Sequence, residues 1–145
     1  MLSRLFRQAG LSPAAELAPF NVLVVDDDAI SNRLAVSALR RANLTATSSE
    51  DPVRALAMLQ EIKYDLILLD ISMPDMDGFT LCEKLRVLPG YEKTPVIFVT
   101  GQDDFESRTH SIRSGGDDLI SKPIFPIELA VKAVTQLLVG VMGGT

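Results

Sequence analysis

A lone cysteine, Cys82, leaves this chain without an intrachain disulfide framework and without a thiolate cluster for zinc. A reducing, cytoplasmic setting is the expectation. Basic residues are in deficit, 14 Lys plus Arg against 19 Asp plus Glu, so the surface field repels a phosphate backbone. Direct nucleic-acid binding is therefore not expected. Charge or proline interrupts every apolar run before it reaches the roughly 18–20 residues of a membrane span. The start of the chain lacks a signal-peptide core as well, because Pro13 and Glu16 break the apolar residues that follow Arg4 and Arg7. Internal repeats and low-complexity tracts are absent. A length of 145 residues with 47% hydrophobic content suits one domain with a real core.

Residues 1–20 differ from the rest. Leu2, Leu5, Phe6 and Ala9 have helical spacing, then Gly10, Ser12 and Pro13 stop it, which reads as an N-terminal extension or linker. From residue 21 short β-branched runs alternate with helical patterns. Val22–Val25, Leu44–Ser48, Leu66–Leu69, Pro95–Val99 and Leu119–Ile120 read as strands. Between them, Ile30–Arg41 puts Ile30, Leu34, Ala38 and Leu39 on one helical side, and Pro52 opens a helix behind the N-cap candidate Asp51. A third helix covers Phe79–Arg86, and a fourth runs from about Asp104 to Arg113, ended by Gly115 and Gly116. Ile127, Ala130, Val131, Val134, Leu137 and Leu138 form the stripe of a last helix. The expectation is a doubly wound α/β fold over residues 21–139: a five-stranded parallel sheet, flavodoxin-like, with helices on both faces and a glycine-rich tail at 140–145.

Such sheets bind ligands at the carboxyl ends of their strands, and polar residues collect at those ends here. Asp26 and Asp27 follow the first strand, Asp70 the third, Thr100 the fourth and Lys122 the fifth. Carboxylates brought together repel one another unless a cation joins them. The donor set is hard oxygen, which suits Mg²⁺, an ion typically held by one or two carboxylates plus substrate phosphate. A carboxylate neutralised beside a metal and a lysine is set up to attack phosphorus, and a threonine hydroxyl can donate to the transferring oxygens. Each residue has a plainer alternative: Asp28 as N-cap of the first helix, Asp70 as cap of the turn before Pro74, Thr100 and Lys122 as ordinary strand-end residues. Asp103-Asp104 and Asp117-Asp118 read as caps and turn formers, and His110 as a surface residue.

The segments VLVVDDD, LILLDISMPDMDG, VIFVTG and ISKP resemble the signature blocks of response-regulator receiver domains, in that family's spacing. The resemblance implies that Asp70 is the phosphoacceptor, with Mg²⁺ bound directly by Asp27, through water by Asp26, and by the Ser72 carbonyl. Thr100 and Lys122 would hold the phosphoryl oxygens, with Lys122-Pro123 cis. It implies a switch that phosphorylates itself from a donor and slowly dephosphorylates, more substrate than enzyme. The partner would be a histidine kinase or histidine phosphotransfer protein, and an output domain or a homodimer would read the 104–139 face. Leu119 departs from the family, which usually carries an aromatic there. Two other readings stand beside it: a haloacid-dehalogenase-like phosphatase, suggested by Asp26-x-Asp28, and a pseudo-receiver that serves only as an interaction module.

Overall fold

The computed structural model describes residues 20–101 and 105–143. The expected extension at 1–20 lies outside them except for Phe20. Five strands, β1 (Asn21–Val25), β2 (Thr45–Ser49), β3 (Leu66–Asp70), β4 (Val96–Thr100) and β5 (Asp118–Ser121), form one parallel sheet in the order β2-β1-β3-β4-β5. The connecting helices are α1 (Ala29–Arg41), α2 (Pro52–Glu61), α3 (Gly78–Arg86), α4 (Phe105–Arg113) and α5 (Pro126–Gly143). The order changes direction at β1 and β3, which opens a crevice between their carboxyl ends.

β3 and β4 are buried along their whole length, as strands covered on both faces must be. Successive residues serve opposite layers. Val22, Val24, Leu66, Leu68, Ile97 and Val99 pack with α1 and α5, whereas Leu23, Val25, Ile67, Leu69, Val96 and Phe98 pack with α2 and α3. Cys82, fully buried in the second layer, has its thiol pushed up to about 11 by that burial and is a packing residue.

Helix starts follow the sequence closely. The Asp28, Asp51 and Asp77 carboxylates accept from the backbone N–H groups of Ile30, Val53 and Thr80, and Pro52 sits in the first turn of α2. Helix phase is where the sequence reading fails. Ile30 and Leu34, expected on the core side of α1, are 61% and 57% exposed, and the buried residues are Asn32, Ala35, Ala38 and Leu39. α1 packs against both β1 and α5, and small alanines permit that approach. In α5, likewise, Ile127 and Val131 face outward while Leu129, Ala133, Val134 and Leu137 are buried. That helix also runs on to Gly143 through part of the expected tail.

Candidate functional site

β1 delivers Asp26 and Asp27 to the crevice, and β3 ends on Asp70 beside them. One carboxylate oxygen from each of the three lies within 4.8 Å of the others; Asp26 and Asp70 are buried and Asp27 is exposed. From the far side of β4, Lys122 reaches over the cluster, its Nζ 3.1 Å from Asp26 Oδ2 and 3.4 Å from Asp70 Oδ1. A backbone bond of 2.7 Å from Lys122 N–H to the Thr100 carbonyl fixes the chain that carries it. Thr100, 3% exposed, closes β4 next to the strand of Asp70, and Lys122-Pro123 is cis. Ser72 stands two residues past Asp70 in the exposed β3–α3 loop.

The loop that follows β1 is held from several sides. Asp26 Oδ1 accepts from Asp28 N–H at 2.9 Å, and Asp26 N–H donates to the Ser49 carbonyl at 3.2 Å. Asp28 is occupied as the α1 cap, accepting from Ile30 N–H and from the Ser31 hydroxyl. The carboxylate that a phosphatase reading needs is therefore committed elsewhere, while Asp70, idle in that reading, lies at the centre of the cluster.

Burial and the adjacent Asp26 charge raise the Asp70 carboxyl to about 6, against the pull of Lys122. Burial works against the Lys122 ammonium, but hydrogen bonding to Asp26 and the charges of Asp70 and Asp26 outweigh it and hold its pKa above the ordinary value. Two carboxylates beside a third, partly desolvated and with one lysine to answer them, make a cation-demanding site of hard oxygen donors. Mg²⁺ fits that donor set, with Asp26, Asp27 and Asp70 as the residues to hold it.

An acid raised from 3.8 to about 6 by folding penalises the folded state fully above pH 6, and the penalty fades as pH falls toward 3.8. In metal-free protein at pH 7, Asp70→Asn is expected to stabilise the fold by on the order of 1–2 kcal/mol. The gain should shrink by pH 5 and be offset in the parent by added Mg²⁺. Urea denaturation at both pH values, with and without the ion, measures this; an Asn variant less stable than the parent at pH 7 without metal would contradict it.

Several features, at the site and away from it, were not expected. Asn32 is 2% exposed, and its Nδ2 donates to the Asp26 carbonyl at 2.7 Å. Its place beside hydrophilic residues after the acidic run gave no signal of burial. On the other layer Phe98, fully buried, is the register partner of Leu119, and its ring packs where a Gly116 side chain would stand, 2.4 Å from the ideal Cβ. Phe79 lies 5.0 Å from Phe98 and stacks on His110 at 3.8 Å. His110 is exposed as expected, yet it joins α4 to α3. Asp117 does more than form a turn: its Oδ2 accepts from Val96 N–H at 2.8 Å and pairs with Arg86. Asp103 and Asp104 lie outside the described residues.

A family model for the response regulator receiver domain matches residues 22–134. The transcriptional regulatory protein ResD of Bacillus subtilis is 37% identical over 80% of this chain and 47% of its own length. An uncharacterised 14.6 kDa protein of Leptolyngbya boryana is 36% identical over 83% of this chain and 91% of its own. Among solved structures, a CheY-like response regulator receiver domain protein from Methanospirillum hungatei aligns with a TM-score of 0.75 at 30% identity, covering 81% of this chain and 93% of that one. The chain spans 18% of Protein RcaC of Microchaete diplosiphon and less than half of ResD, so it matches one portion of those longer proteins.

Proposed function

Since this chain belongs to the response regulator receiver family, we propose that it accepts a phosphoryl group on Asp70 from a phosphohistidine of a kinase or phosphotransfer partner, and that this changes the surface around α4. The observation that carries the reading is the buried Asp26–Asp70 pair bridged by Lys122 beside the exposed Asp27.

Asp70 supplies the nucleophile: a carboxylate oxygen forms a bond to phosphorus as the bond from phosphorus to the donor imidazole nitrogen breaks, and the imidazole leaves with the electron pair. Asp26 and Asp27, with the Ser72 carbonyl, would hold Mg²⁺ beside Asp70. When bound, the ion supplies positive charge that offsets the carboxylates and the phosphoryl oxygens. Lys122, tethered between Asp26 and Asp70, meets those oxygens as a fixed ammonium, and the Thr100 hydroxyl donates to them. Water attack on the acyl phosphate at the same site returns Asp70 to its free state, so the chain works as a signalling switch rather than as a turnover enzyme.

The added phosphoryl charge draws Thr100 and Lys122 inward. Phe98 lies two residues before Thr100 in β4, and its contacts lead through Phe79 to His110 on α4. That supports α4, β5 and α5 as the face read by an output domain or a second copy. Leu119 has no hydroxyl to exchange between partners, so it repacks without a discrete inward and outward state.

Acetyl phosphate or phosphoramidate, with Mg²⁺, is expected to phosphorylate the parent at Asp70 only, as read by mass spectrometry. Loss of labelling in Asp70→Asn, and strong slowing in Lys122→Ala, are the expected results. Labelling that persists in Asp70→Asn, or steady turnover of a phosphate ester, would remove the reading. A chain that folds and binds Mg²⁺ but never labels would be an interaction module instead.

A further inference from the structure

Asn32 occupies a position on α1 where every other inward residue is apolar: Ala35, Ala38 and Leu39 are 0%, 4% and 0% exposed, and Asn32 itself 2%. Buried amides persist where their hydrogen bonds do something that a leucine could not. Here Nδ2 donates to the Asp26 carbonyl at 2.7 Å and lies 3.4 Å from the Ser49 carbonyl. The reverse amide orientation would set oxygen against two carbonyl oxygens, so the hydrogen-bond pattern fixes which way the group points. The other end, Oδ1, is buried with no hydrogen-bond partner. The side chain thus carries a desolvation cost at Oδ1 while serving one task at Nδ2.

That task concerns the acidic loop. Asp26 N–H already donates to the Ser49 carbonyl, joining the ends of β1 and β2, and Asn32 reaches across the same junction. Its donor holds the peptide that links Asp26 to Asp27, and so fixes the direction in which both side chains leave the strand. Mutually repelling carboxylates need such a restraint, because without one the loop relaxes to separate them.

We propose that Asn32 is a positioning residue for the acidic site: through the Asp26 carbonyl it sets where the Asp26 and Asp27 carboxylates stand, and so tunes the affinity for a divalent cation. This rests on the reading of Asp26, Asp27 and Asp70 as the magnesium site.

The test compares the parent with Asn32→Leu, which keeps the branching at Cγ but is bulkier, and Asn32→Ala, which does not crowd the sheet. Mg²⁺ titration followed by amide chemical shifts is expected to show binding weakened roughly tenfold in both variants. Amide hydrogen exchange at residues 26–28 in metal-free protein should be faster, with exchange in β3 and β4 unchanged. The exchange measurement needs no metal and no phosphorylation. Folded variants with parental Mg²⁺ affinity and parental exchange would overturn the proposal. Unfolding of both variants would overturn it too, making Asn32 a structural residue. A parent that binds no Mg²⁺ would instead remove the underlying site assignment, while the exchange result would still report on the restraint.

Discussion

Gly78→Ala is expected to destabilise the protein by roughly 3 kcal/mol and to displace Asp70. Gly78 opens α3, and its N–H donates to the Ile71 carbonyl at 2.9 Å, which brings the helix start onto the chain leaving β3. An alanine Cβ there would stand 2.4 Å from the Asp70 carbonyl oxygen and 3.1 Å from Ile71 Cα. These are backbone atoms, so no side chain can swing aside; either α3 or the end of β3 must move. Since β3 ends on Asp70, the second adjustment alters the site directly. Gly140→Ala provides the contrast. Its Cβ meets nothing within 4 Å in the helical α5, and it should stabilise by about 0.5–1 kcal/mol through helix propensity. Urea unfolding of both variants, with Mg²⁺ titration of Gly78→Ala, measures the difference. A Gly78→Ala protein as stable as the parent, with unchanged Mg²⁺ affinity, would contradict the close approach.

The second large effect is expected at Arg86, far from the acidic cluster. Its guanidinium donates through Nη1 to the Tyr91 carbonyl at 3.0 Å and to the Thr94 carbonyl. Through Nη2 it donates to the Gly115 carbonyl and to Asp117 Oδ2 at 3.3 Å. Asp117 in turn accepts from Val96 N–H at the first residue of β4. One side chain, 18% exposed, therefore ties the α3–β4 loop to the α4–β5 loop and fixes where β4 begins. Arg86→Met keeps the aliphatic stem but leaves three carbonyls and a carboxylate without their donor. A loss of roughly 2–3 kcal/mol is expected, since three part-buried carbonyls lose a charged donor, while the pairing with the more exposed Asp117 adds little. Asp117→Asn should cost less, because an amide oxygen can still accept from Val96 N–H. Comparing the two by denaturant unfolding, with the double variant closing the cycle, isolates the coupling. An Arg86→Met loss below about 1 kcal/mol would mean that the network carries little.

The fold was legible because its signals are local. Uninterrupted apolar runs of four residues such as Leu66–Leu69, too short for a helix and alternating with helical patterns, read as strands covered on both sides, and aspartates at helix starts announce themselves by position. The acidic cluster was legible for another reason: strand ends in a parallel sheet share one edge, so polar residues after separate strands must meet. What escaped was whatever depends on an angle or on distant pairing. Hydrophobicity alone puts Ile30 and Leu34 on the core face of α1, but packing against β1 and α5 selects the face with the alanines and Asn32. Arg86 and Asp117 are 31 positions apart and carry no local mark of partnership. His110 reads as a polar helix residue until Phe79 is found beneath it.

The pairing of Phe98 with Leu119 has a consequence for how this sequence can change. The large ring on this side of the sheet edge comes from β4, and Gly116 leaves the space it fills. An aromatic side chain at 119 would compete with Phe98 for the same volume, and close-packed interiors do not yield a second ring's worth of room. The two positions therefore form an epistatic pair: Leu119→Tyr is tolerated after Phe98 has become smaller and resisted before. An evolutionary path that introduces an inward-facing aromatic on β5 passes first through β4, with Gly116 released to other residues only after that exchange.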